Sequence, residues 1–300
     1  MSLLVVGSIA YDNIRTPGGD ASDALGGSAI YFSLAARLFS GVRLVGVVGG
    51  DFRSEDLELL RSRSIDTAGL EVIPDGKTFR WTGEYSPDMN DRETLEVDLN
   101  VLEDFQPKIP ESFRDSRFVF LANGAPITQL SVLDQVEGPE FVVADTMDLW
   151  ITTEREPLLA LLERVDGLII NDSEAHLLTG LHGLIRAGQK ILEMGPSLVV
   201  LKKGEHGAIL FTREQRVPLP AYPTATVADP TGAGDSFAGA MMGYLARCGA
   251  VDEKTLKESM AYGTVAASFT VEDFGTRRIL AVSEAEARSR FDEYCRFLRI

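Results

Sequence analysis

The chain has 300 residues, 45% of them hydrophobic, which is enough for one large core with a small attachment. A net charge of −16 without a basic stripe argues against nucleic acid as a partner, and no run of about 18 apolar residues is present to span a membrane. The two cysteines are too few for a disulfide framework, which favours the reducing cytoplasm as the compartment.

Short apolar runs alternate with helical patterns along most of the chain. This repeated order predicts an α/β fold, with a mainly parallel sheet covered by helices on both faces. In such sheets ligands bind at the carboxyl ends of the strands. The predicted strands are residues 3–9, 43–48, 118–122, 141–144, 167–170 and 198–201, and helices are predicted after residues 26–28 and at 55–62.

One segment, residues 78–100, interrupts this order. Residues 78–85 and 94–99 each alternate between apolar and polar side chains, and a turn-rich stretch at 86–91 separates them. The pattern predicts a hairpin that projects from the main domain. Such a hairpin is either a structural addition or a lid over a site, and the alternation is compatible with both.

Residues 229–239 carry the strongest functional signal. Gly232, Ala233 and Gly234 lie between two aspartates, and apolar residues then recur at helical spacing, which indicates a tight turn that opens a helix. Glycines let the backbone approach a ligand closely, and the free N–H groups and dipole of a helix start attract anions. The carboxylate of Asp235 would repel a bound phosphate unless it accepts a proton from a nucleophile attacking the phosphoryl group. The alternative is a glycine-rich turn with a capping aspartate.

Four other short patterns carry weaker signals, and each has a structural alternative. Asp12 follows the first strand and can accept hydrogen bonds from ligand hydroxyls, although an aspartate there is more often a turn residue. Two glycines at 26–27 permit close backbone approach at a helix start. Asn171 and Glu174 lie three residues apart at a helix start, which suits either a shared ligand or a helix cap. Lys202 begins a turn between two strands, where it either meets nucleotide phosphates or is solvated.

The order and spacing of these patterns give the chain a family resemblance. They are Gly-Gly at 26–27, Gly-x-x-Gly-Gly-Asp at 46–51, Asn-x-x-Glu at 171–174, Lys-Lys-Gly-x-x-Gly at 202–207 and Asp-Pro-Thr-Gly-Ala-Gly-Asp at 229–235. Over nearly its full length the chain resembles the PfkB family of carbohydrate and nucleoside kinases, within the ribokinase-like fold. The sequence contains neither a Walker A motif nor Gly-x-Gly-x-x-Gly, which argues against P-loop and Rossmann folds.

The resemblance implies a single ribokinase-like domain over residues 1–300, with a central mainly parallel sheet flanked by helices and a small β-sheet lid. The lid is expected to form mainly from residues 78–100, with a contribution from 11–17. The implied activity is transfer of the γ-phosphoryl group of ATP to a hydroxymethyl group of a small, sugar-containing acceptor. ATP and Mg²⁺ are the implied cofactors, and some relatives also hold a monovalent cation.

The same resemblance implies roles for individual residues. Asp235 is the expected general base, and Gly232, Ala233 and Gly234 are the expected anion hole for the transferred phosphoryl group. Glu174 is expected to meet Mg²⁺ through water, and Asp229 and Thr231 match the monovalent-cation positions. Cofactor contacts are expected from Asn171, Glu174, Lys202, Gly204, Gly207 and Thr231. Acceptor contacts are expected from Asp12, Gly26 and Gly27.

The acceptor itself is predicted from departures within the family. Ribokinases carry Lys and Asn after the double glycine, where this chain has Ser28 and Tyr31. Near the position of a sugar-binding Glu this chain reads Asn-Gly-Ala-Pro at 123–126, with Gly124 nearest that position. These differences argue against free ribose. Aromatic surface at Tyr31, Phe32, Phe79 and Trp81 suits a flat base better than a small sugar. The alternative for these rings is core packing, which is favoured for Phe32. We therefore predict acceptor contacts from Tyr31, Trp81 and Asn123.

A purine or related nucleoside, phosphorylated on its 5′ hydroxymethyl group, is the predicted acceptor. The alternative is a free sugar or sugar acid, as in fructokinases or 2-keto-3-deoxygluconate kinases, and a more distant one is a non-catalytic nucleotide-binding regulator. Beyond small molecules, we expect neither nucleic acid nor membrane partners. The exposed strand edges of a lid would also allow a homodimer.

Overall fold

Two sheets organise residues 1–299, which the computed structural model describes; one has nine strands and the other four. The strands are β1 (Leu3–Val6), β2 (Ala10–Thr16), β3 (Gly19–Gly26), β4 (Val42–Gly49), β5 (Ile65–Ile73), β6 (Phe79–Tyr85), β7 (Arg92–Asp98), β8 (Phe118–Leu121), β9 (Phe141–Asp145), β10 (Gly167–Asn171), β11 (Leu198–Lys202), β12 (Ala208–Thr212) and β13 (Arg216–Leu219). The helices are α1 (Ser28–Ala36), α2 (Ser54–Ser62), α3 (Pro126–Leu133), α4 (Asp148–Thr153), α5 (Arg155–Leu162), α6 (Asp172–Thr179), α7 (Leu184–Leu192), α8 (Ala233–Cys248), α9 (Glu253–Thr270), α10 (Arg277–Ala281) and α11 (Glu284–Phe297). Single 3-10 turns cover Asn100–Leu102, Glu111–Phe113 and Gly204–His206.

The nine-stranded sheet has the order β13-β12-β11-β10-β9-β8-β1-β4-β5. From β11 to β5 the strands are parallel, and β12 and β13 add an antiparallel edge. Strands β1 and β8 are buried along their whole length, and this is why they read as continuous apolar runs in the sequence. The predicted mainly parallel α/β sheet is therefore confirmed.

The core lies in two layers, one on each face of this sheet. Along β1, Leu3 and Val5 point into one layer while Leu4 and Val6 point into the other, as the two-residue period of a strand requires. The first layer packs against α1, α8 and α9, and the second against α3, α5, α6 and α7. Phe32 belongs to the first layer, where its ring stacks on Phe120 at 4.4 Å between ring centroids.

Helix α8 lies very close to α1, and two glycines permit this approach. A Cβ atom on Gly239 would lie 2.1 Å from the carbonyl oxygen of Phe32, and one on Gly243 would lie 2.7 Å from that of Ala36. The contact fixes the start of α8 beside the start of α1. It thereby brings the turn at residues 229–235 next to the double glycine at 26–27.

The four-stranded sheet has the order β3-β2-β6-β7. Strands β2 and β6 are parallel, and the two outer pairs are antiparallel. The predicted hairpin supplies β6 and β7, and β2 covers most of the second predicted segment. Strand β3 is not predicted from the sequence, because its aspartates and glycines are typical of turns rather than strands. Within residues 1–299, no helix combines the length and the apolar character needed to cross a bilayer.

Candidate active site

The carboxyl ends of three parallel strands bring polar side chains to one edge of the large sheet. Asp145 ends β9, Asn171 ends β10 and Lys202 ends β11. Asn171 and Lys202 are direct partners in the β10–β11 register. The ends of parallel strands are where ligands bind in this class of fold, and the predicted cofactor residues Asn171 and Lys202 lie there.

The turn before α8 faces the same edge and has a backbone that requires glycine. Gly232 has φ of 73°, and a Cβ atom on it would lie 2.2 Å from the ring of Tyr31. Within residues 1–299, the amides of Gly232 and Gly234 donate to no acceptor, whereas the amide of Ala233 donates to the carbonyl of Pro230 at 3.2 Å. Two free N–H groups at the start of a 16-residue helix are able to donate to an anion, as the predicted anion hole requires.

Asp235 lies in the first turn of α8 with its side chain half-buried. Burial and the charge of Asp145 raise the pKa of Asp235 to about 7, although Lys202 and Arg92 act in the opposite direction. A carboxylate with this pKa is ionised in a large fraction of molecules at neutral pH. It is also basic enough to accept a proton from a hydroxyl during reaction, which is what a general base requires.

Asp12 lies on β2, buried with 4% of its surface exposed. A Cβ atom on Gly26 would lie 2.0 Å from Asp12 Oδ2, so the glycine makes room for this carboxylate. Gly27 has φ of 91° and its amide stabilises the ionised form of Asp12. Burial, together with the charges of Asp229 and Asp235, nevertheless raises the pKa of Asp12 to about 7. The predicted acceptor residues 12, 26 and 27 are thus adjacent, and Asp12 lies within electrostatic range of Asp235.

Asp229 is fully buried and organises the turn from within. Its Oδ1 accepts a hydrogen bond from the Thr231 amide and its Oδ2 accepts one from the Gly275 amide, both at 2.8 Å. Burial raises the pKa of Asp229, and these two bonds act against that rise. The backbone bonds account for the position of this carboxylate without a cation.

Glu174 and Asn171 form a capping box at the start of α6. The Asn171 side chain accepts from the Glu174 amide at 2.8 Å, and Glu174 Oε2 accepts from the Asn171 amide at 2.9 Å. The structural alternative for this motif is therefore present. Burial and the charge of Asp145 raise the pKa of Glu174 to about 7, which shows that this carboxylate also belongs to the acidic edge around Lys202.

The turn after β11 is closed by two glycines with positive φ, 53° at Gly204 and 83° at Gly207. A Cβ atom on Gly207 would lie 2.1 Å from the carbonyl oxygen of Leu219. The tip of the small sheet reaches this turn, because Asn90 Nδ2 donates to Glu205 Oε1 at 3.3 Å. The two predicted nucleotide-contacting glycines thus keep their backbone shape and border the small sheet.

The aromatic residues predicted to contact the acceptor have different surroundings. Tyr31 is 1% exposed and, among residues 1–299, no group bonds its hydroxyl. Trp81 is half-buried and pairs in register with Asp12 on the neighbouring strand, so both side chains lie on one face of the small sheet. The guanidinium of Arg92 lies 5.6 Å from the Trp81 ring centroid, and the indole N–H donates to Thr94. The Trp81 ring lies over Gly83, two residues along the same strand, with Arg92 beside it.

Asn123 follows β8, and both polar atoms of its side-chain amide already bond other residues of the protein. Its Oδ1 accepts from Trp150 Nε1 at 3.0 Å, and its Nδ2 donates to the sulfur of Met147 at 3.2 Å. An acceptor contact from Asn123 stays a prediction. It would have to share or replace these bonds, which residues of α4 and the segment before it provide.

Sequence reasoning does not identify two residues of the site. The predicted strand ends one residue before Asp145, and Tyr85 falls within the predicted hairpin without a signal of its own. Thr231 Oγ1 donates to the Tyr85 hydroxyl at 3.1 Å, which joins the small sheet to the turn before α8. An aspartate directly after a buried strand is the one available signal for Asp145.

Comparison with known proteins identifies the family. Residues 2–282 match the family described as pfkB family carbohydrate kinase. The chain belongs to this family. It is 30% identical over 252 residues to the cytidine kinase of Thermococcus kodakarensis, with 82% of this chain and 88% of the relative covered. It is 31% identical over 316 aligned positions to the nucleoside kinase of Methanothermobacter thermautotrophicus, with 96% and 95% covered.

Among solved structures, the fold is similar to that of the Burkholderia thailandensis nucleoside kinase in complex with inosine. The TM-score is 0.80 at 19% identity, and 97% of each chain is covered. This likeness confirms the predicted ribokinase-like fold. As a member of the pfkB family the chain is a phosphotransferase, as the sequence predicted, and the family implies that it binds ATP.

Proposed function

We propose that this kinase transfers the γ-phosphoryl group of ATP to the 5′ hydroxymethyl group of a nucleoside, with Asp235 as the general base. The observation that carries the proposal is the pairing of Asp12 with Asp235. Asp12 lies against Gly26, Asp235 directly follows the turn at residues 232–234, and the charge of Asp235 contributes to the raised pKa of Asp12. A hydroxyl-bearing ligand held by Asp12 would therefore lie near both the base and the anion-binding amides.

The chemical step follows from these positions. The acceptor's ribosyl hydroxyls donate hydrogen bonds to Asp12, and its hydroxymethyl O–H donates to Asp235. As the oxygen attacks phosphorus, the proton passes to Asp235 and the bond from phosphorus to the bridging oxygen of ADP breaks. Charge on the phosphoryl oxygens is stabilised by the amides of Gly232 and Gly234 and by the dipole of α8. The remaining products are ADP and a protonated Asp235, which returns its proton to solvent.

Mg²⁺ fits the acidic edge formed by the ends of β9 and β10. Oxygen ligands are what this ion prefers, and the Glu174 carboxylate supplies one there, either directly or through water. When bound, Mg²⁺ neutralises phosphate charge. A monovalent cation at Asp229 also remains a proposal, but both oxygens of that carboxylate already accept backbone N–H groups.

A nucleoside is favoured over a free sugar by two lines of support. The relatives named above are a cytidine kinase and a nucleoside kinase, and the similar solved structure contains inosine. In this chain the Trp81 ring lies on the strand next to Asp12, where a base linked to a ribose at Asp12 can stack. One of these proteins is named for a pyrimidine nucleoside and another contains a purine nucleoside. They therefore support a nucleoside acceptor without favouring a purine.

We also propose that two copies of the chain form a homodimer through the small sheet. Strand β7 forms an edge of the small sheet with all seven residues exposed, so pairing of two such edges would make a homodimer. Sedimentation over a range of concentrations tests this.

The two cysteines, Cys248 and Cys295, are free thiols, which supports the cytoplasm as the compartment.

Measurement of ADP formation with a panel of acceptors tests the proposed function. The panel comprises adenosine, inosine, cytidine, ribose, fructose, myo-inositol and 2-keto-3-deoxygluconate, each with ATP and Mg²⁺. We expect at least one nucleoside to exceed every free sugar or sugar acid in kcat/KM. A sugar that exceeds all nucleosides by tenfold would replace the nucleoside assignment with the sugar-kinase alternative.

A further inference from the structure

Lys202 lies against the middle of the turn before α8. A Cβ atom on Gly234 would lie 2.9 Å from Lys202 Nζ, so the ammonium group occupies the space beside this glycine. The side chain extends from the end of β11 and is 19% exposed. The ammonium group therefore reaches the position where the transferred phosphoryl group is expected, while the backbone of Lys202 leads into the turn at residues 202–207.

The ammonium group has acidic neighbours but no short bond. Asp145, at 3.9 Å, is the one carboxylate within 4.0 Å of Lys202 Nζ in residues 1–299. In the same residues Lys202 Nζ donates no hydrogen bond, since even this carboxylate lies beyond hydrogen-bonding distance. Asp145, Glu174 and Asp235 raise the pKa of Lys202 despite its burial, so it carries its charge at neutral pH. Its donors are available for an anion.

Asp145 is itself held in place. It is 5% exposed, and its Oδ1 accepts a hydrogen bond from the Thr146 amide at 2.9 Å. The carbonyl of Asp145 accepts from the amide group of Gln129 at 3.0 Å, and the same amide group bonds the carbonyls of Leu121 and Ala122. This ties the ends of β8 and β9 together. Asp145 Oδ2 is left to face Lys202.

We propose that Lys202 is a catalytic residue that donates hydrogen bonds to the phosphoryl group in transit, and that Asp145 positions it. This inference rests on the proposed phosphoryl transfer. Lys202 keeps its proton throughout, and no bond to it forms or breaks. The group in transit carries charge on its equatorial oxygens, and an ammonium held beside Gly234 stabilises that charge more than it stabilises bound ATP. Asp145 keeps the flexible lysine aimed at Gly234.

Lys202→Met tests the catalytic role. We expect kcat to fall by about 10²–10³, the usual effect of removing one donor to a developing anion, while Kd for ADP changes less than threefold. Affinity for ADP with aluminium fluoride and acceptor, which mimics the phosphoryl group in transit, should fall in parallel with kcat. Lys190→Met is the control, because it removes the same charge from an exposed site on α7. If affinity for ADP alone falls as much as affinity for ADP with aluminium fluoride and acceptor, Lys202 contacts the bound nucleotide before the reaction, and the proposal is overturned.

Thermal unfolding of each variant shows whether the fold is retained, and Lys202→Gln replaces Lys202→Met if the latter does not fold. Asp145→Asn tests the positioning role, since asparagine keeps the size and the bond to the Thr146 amide. We expect Asp145→Asn to lower kcat about tenfold in the otherwise unchanged enzyme and to leave the kcat of the Lys202→Met variant unchanged. Multiplicative losses in the double variant would show that Asp145 acts independently. Recovery of Asp145→Asn at high Mg²⁺ would assign Asp145 to the metal instead.

Failure of this inference is distinguishable from failure of the proposed function. If the unaltered enzyme phosphorylates no nucleoside, the proposed acceptor is wrong, and the same variants are then tested with whichever acceptor is active. If it is active but Lys202→Met retains kcat within threefold, the acceptor assignment stands and the role of Lys202 falls.

Discussion

The hydroxyl of Tyr85, at the end of β6, accepts a hydrogen bond from the hydroxyl of Thr231, in the turn that precedes α8. Burial raises the pKa of Tyr85 to about 12, so the phenol stays neutral over the working pH range. With the bond from Asn90 to Glu205, this contact connects the small sheet to both the turn at residues 229–235 and the turn at residues 202–207. The position of the small sheet and the shape of the turn before α8 are therefore linked.

We predict that the small sheet is a lid that closes on the acceptor and that Tyr85→Phe loosens it. Loss of one hydrogen bond of this kind costs about 1 kcal/mol, so KM for the acceptor should rise about fivefold. Acceptor binding should slow amide exchange in β6 and β7, and less so in the variant. Tyr244→Phe is the matched control, because that hydroxyl donates to Glu258 on α9. Identical exchange with and without a saturating acceptor would leave a structural sheet and no lid.

Gly232→Ala should disrupt the catalytic turn. The new Cβ atom would combine a strained φ of 73° with a contact 2.2 Å from the Tyr31 ring, which α1 and α8 hold in place. We expect kcat/KM to fall at least 10²-fold together with a lower melting temperature. Gly138→Ala separates the two causes, since Gly138 has φ of 57° and a Cβ atom on it would meet nothing within 4 Å. Equal effects of the two substitutions would mean that the contact with Tyr31 does not matter.

The rate should depend on pH through Asp235. A general base acts in its ionised form, and the pKa of Asp235 is raised to about 7, so kcat/KM should rise tenfold per pH unit below 7 and level off above it. Asp12 also has a raised pKa of about 7, so the observed value belongs to the pair. A profile from pH 5 to 9 at constant ionic strength measures this. A rate that stays flat down to pH 5 would place the ionisation of the base near its ordinary value and contradict the assignment.

Trp81→Ala should separate nucleosides from sugars. Stacking of a base on an aromatic ring is worth about 1–3 kcal/mol by alanine substitution, so KM for a nucleoside should rise at least fivefold. Trp81→Phe keeps a ring and should retain most of the affinity. KM for ribose, which has no base, should change little in either variant. A nucleoside KM unchanged by Trp81→Ala would remove this residue from the acceptor site.

Much of the fold was predictable because the parallel strands are buried on both faces and appear as continuous apolar runs. The turn at 229–235 was predictable because its glycines precede apolar residues that recur at helical spacing, which indicates a tight turn that opens a helix. Strand β3 was not predictable, because its residues Asp20, Ser22 and Asp23 are exposed and give no apolar pattern. Its place in the sheet comes from pairing with β2, which local sequence does not encode.

The site was predictable where a motif is local and not where it is assembled across strands. The Asn171–Glu174 pair is contained in one helix start and could be recognised directly. The approach of Asp145 to Lys202 depends on strands separated by β10, and the bond from Thr231 to Tyr85 joins residues 146 positions apart. The hydrogen bond from Trp150 to Asn123 likewise depends on how α4 packs, which the local sequence does not encode.

We propose that Asp235 is the base of a phosphoryl transfer, and the kcat of Asp235→Asn is the decisive measurement of that role. Asparagine keeps the size of the side chain and removes the proton acceptor. With the best acceptor of the panel, we predict that kcat falls by about 10² or more while Kd for ATP stays within severalfold of the unaltered enzyme. A variant that folds, binds ATP and retains near-full kcat would exclude Asp235 as the base.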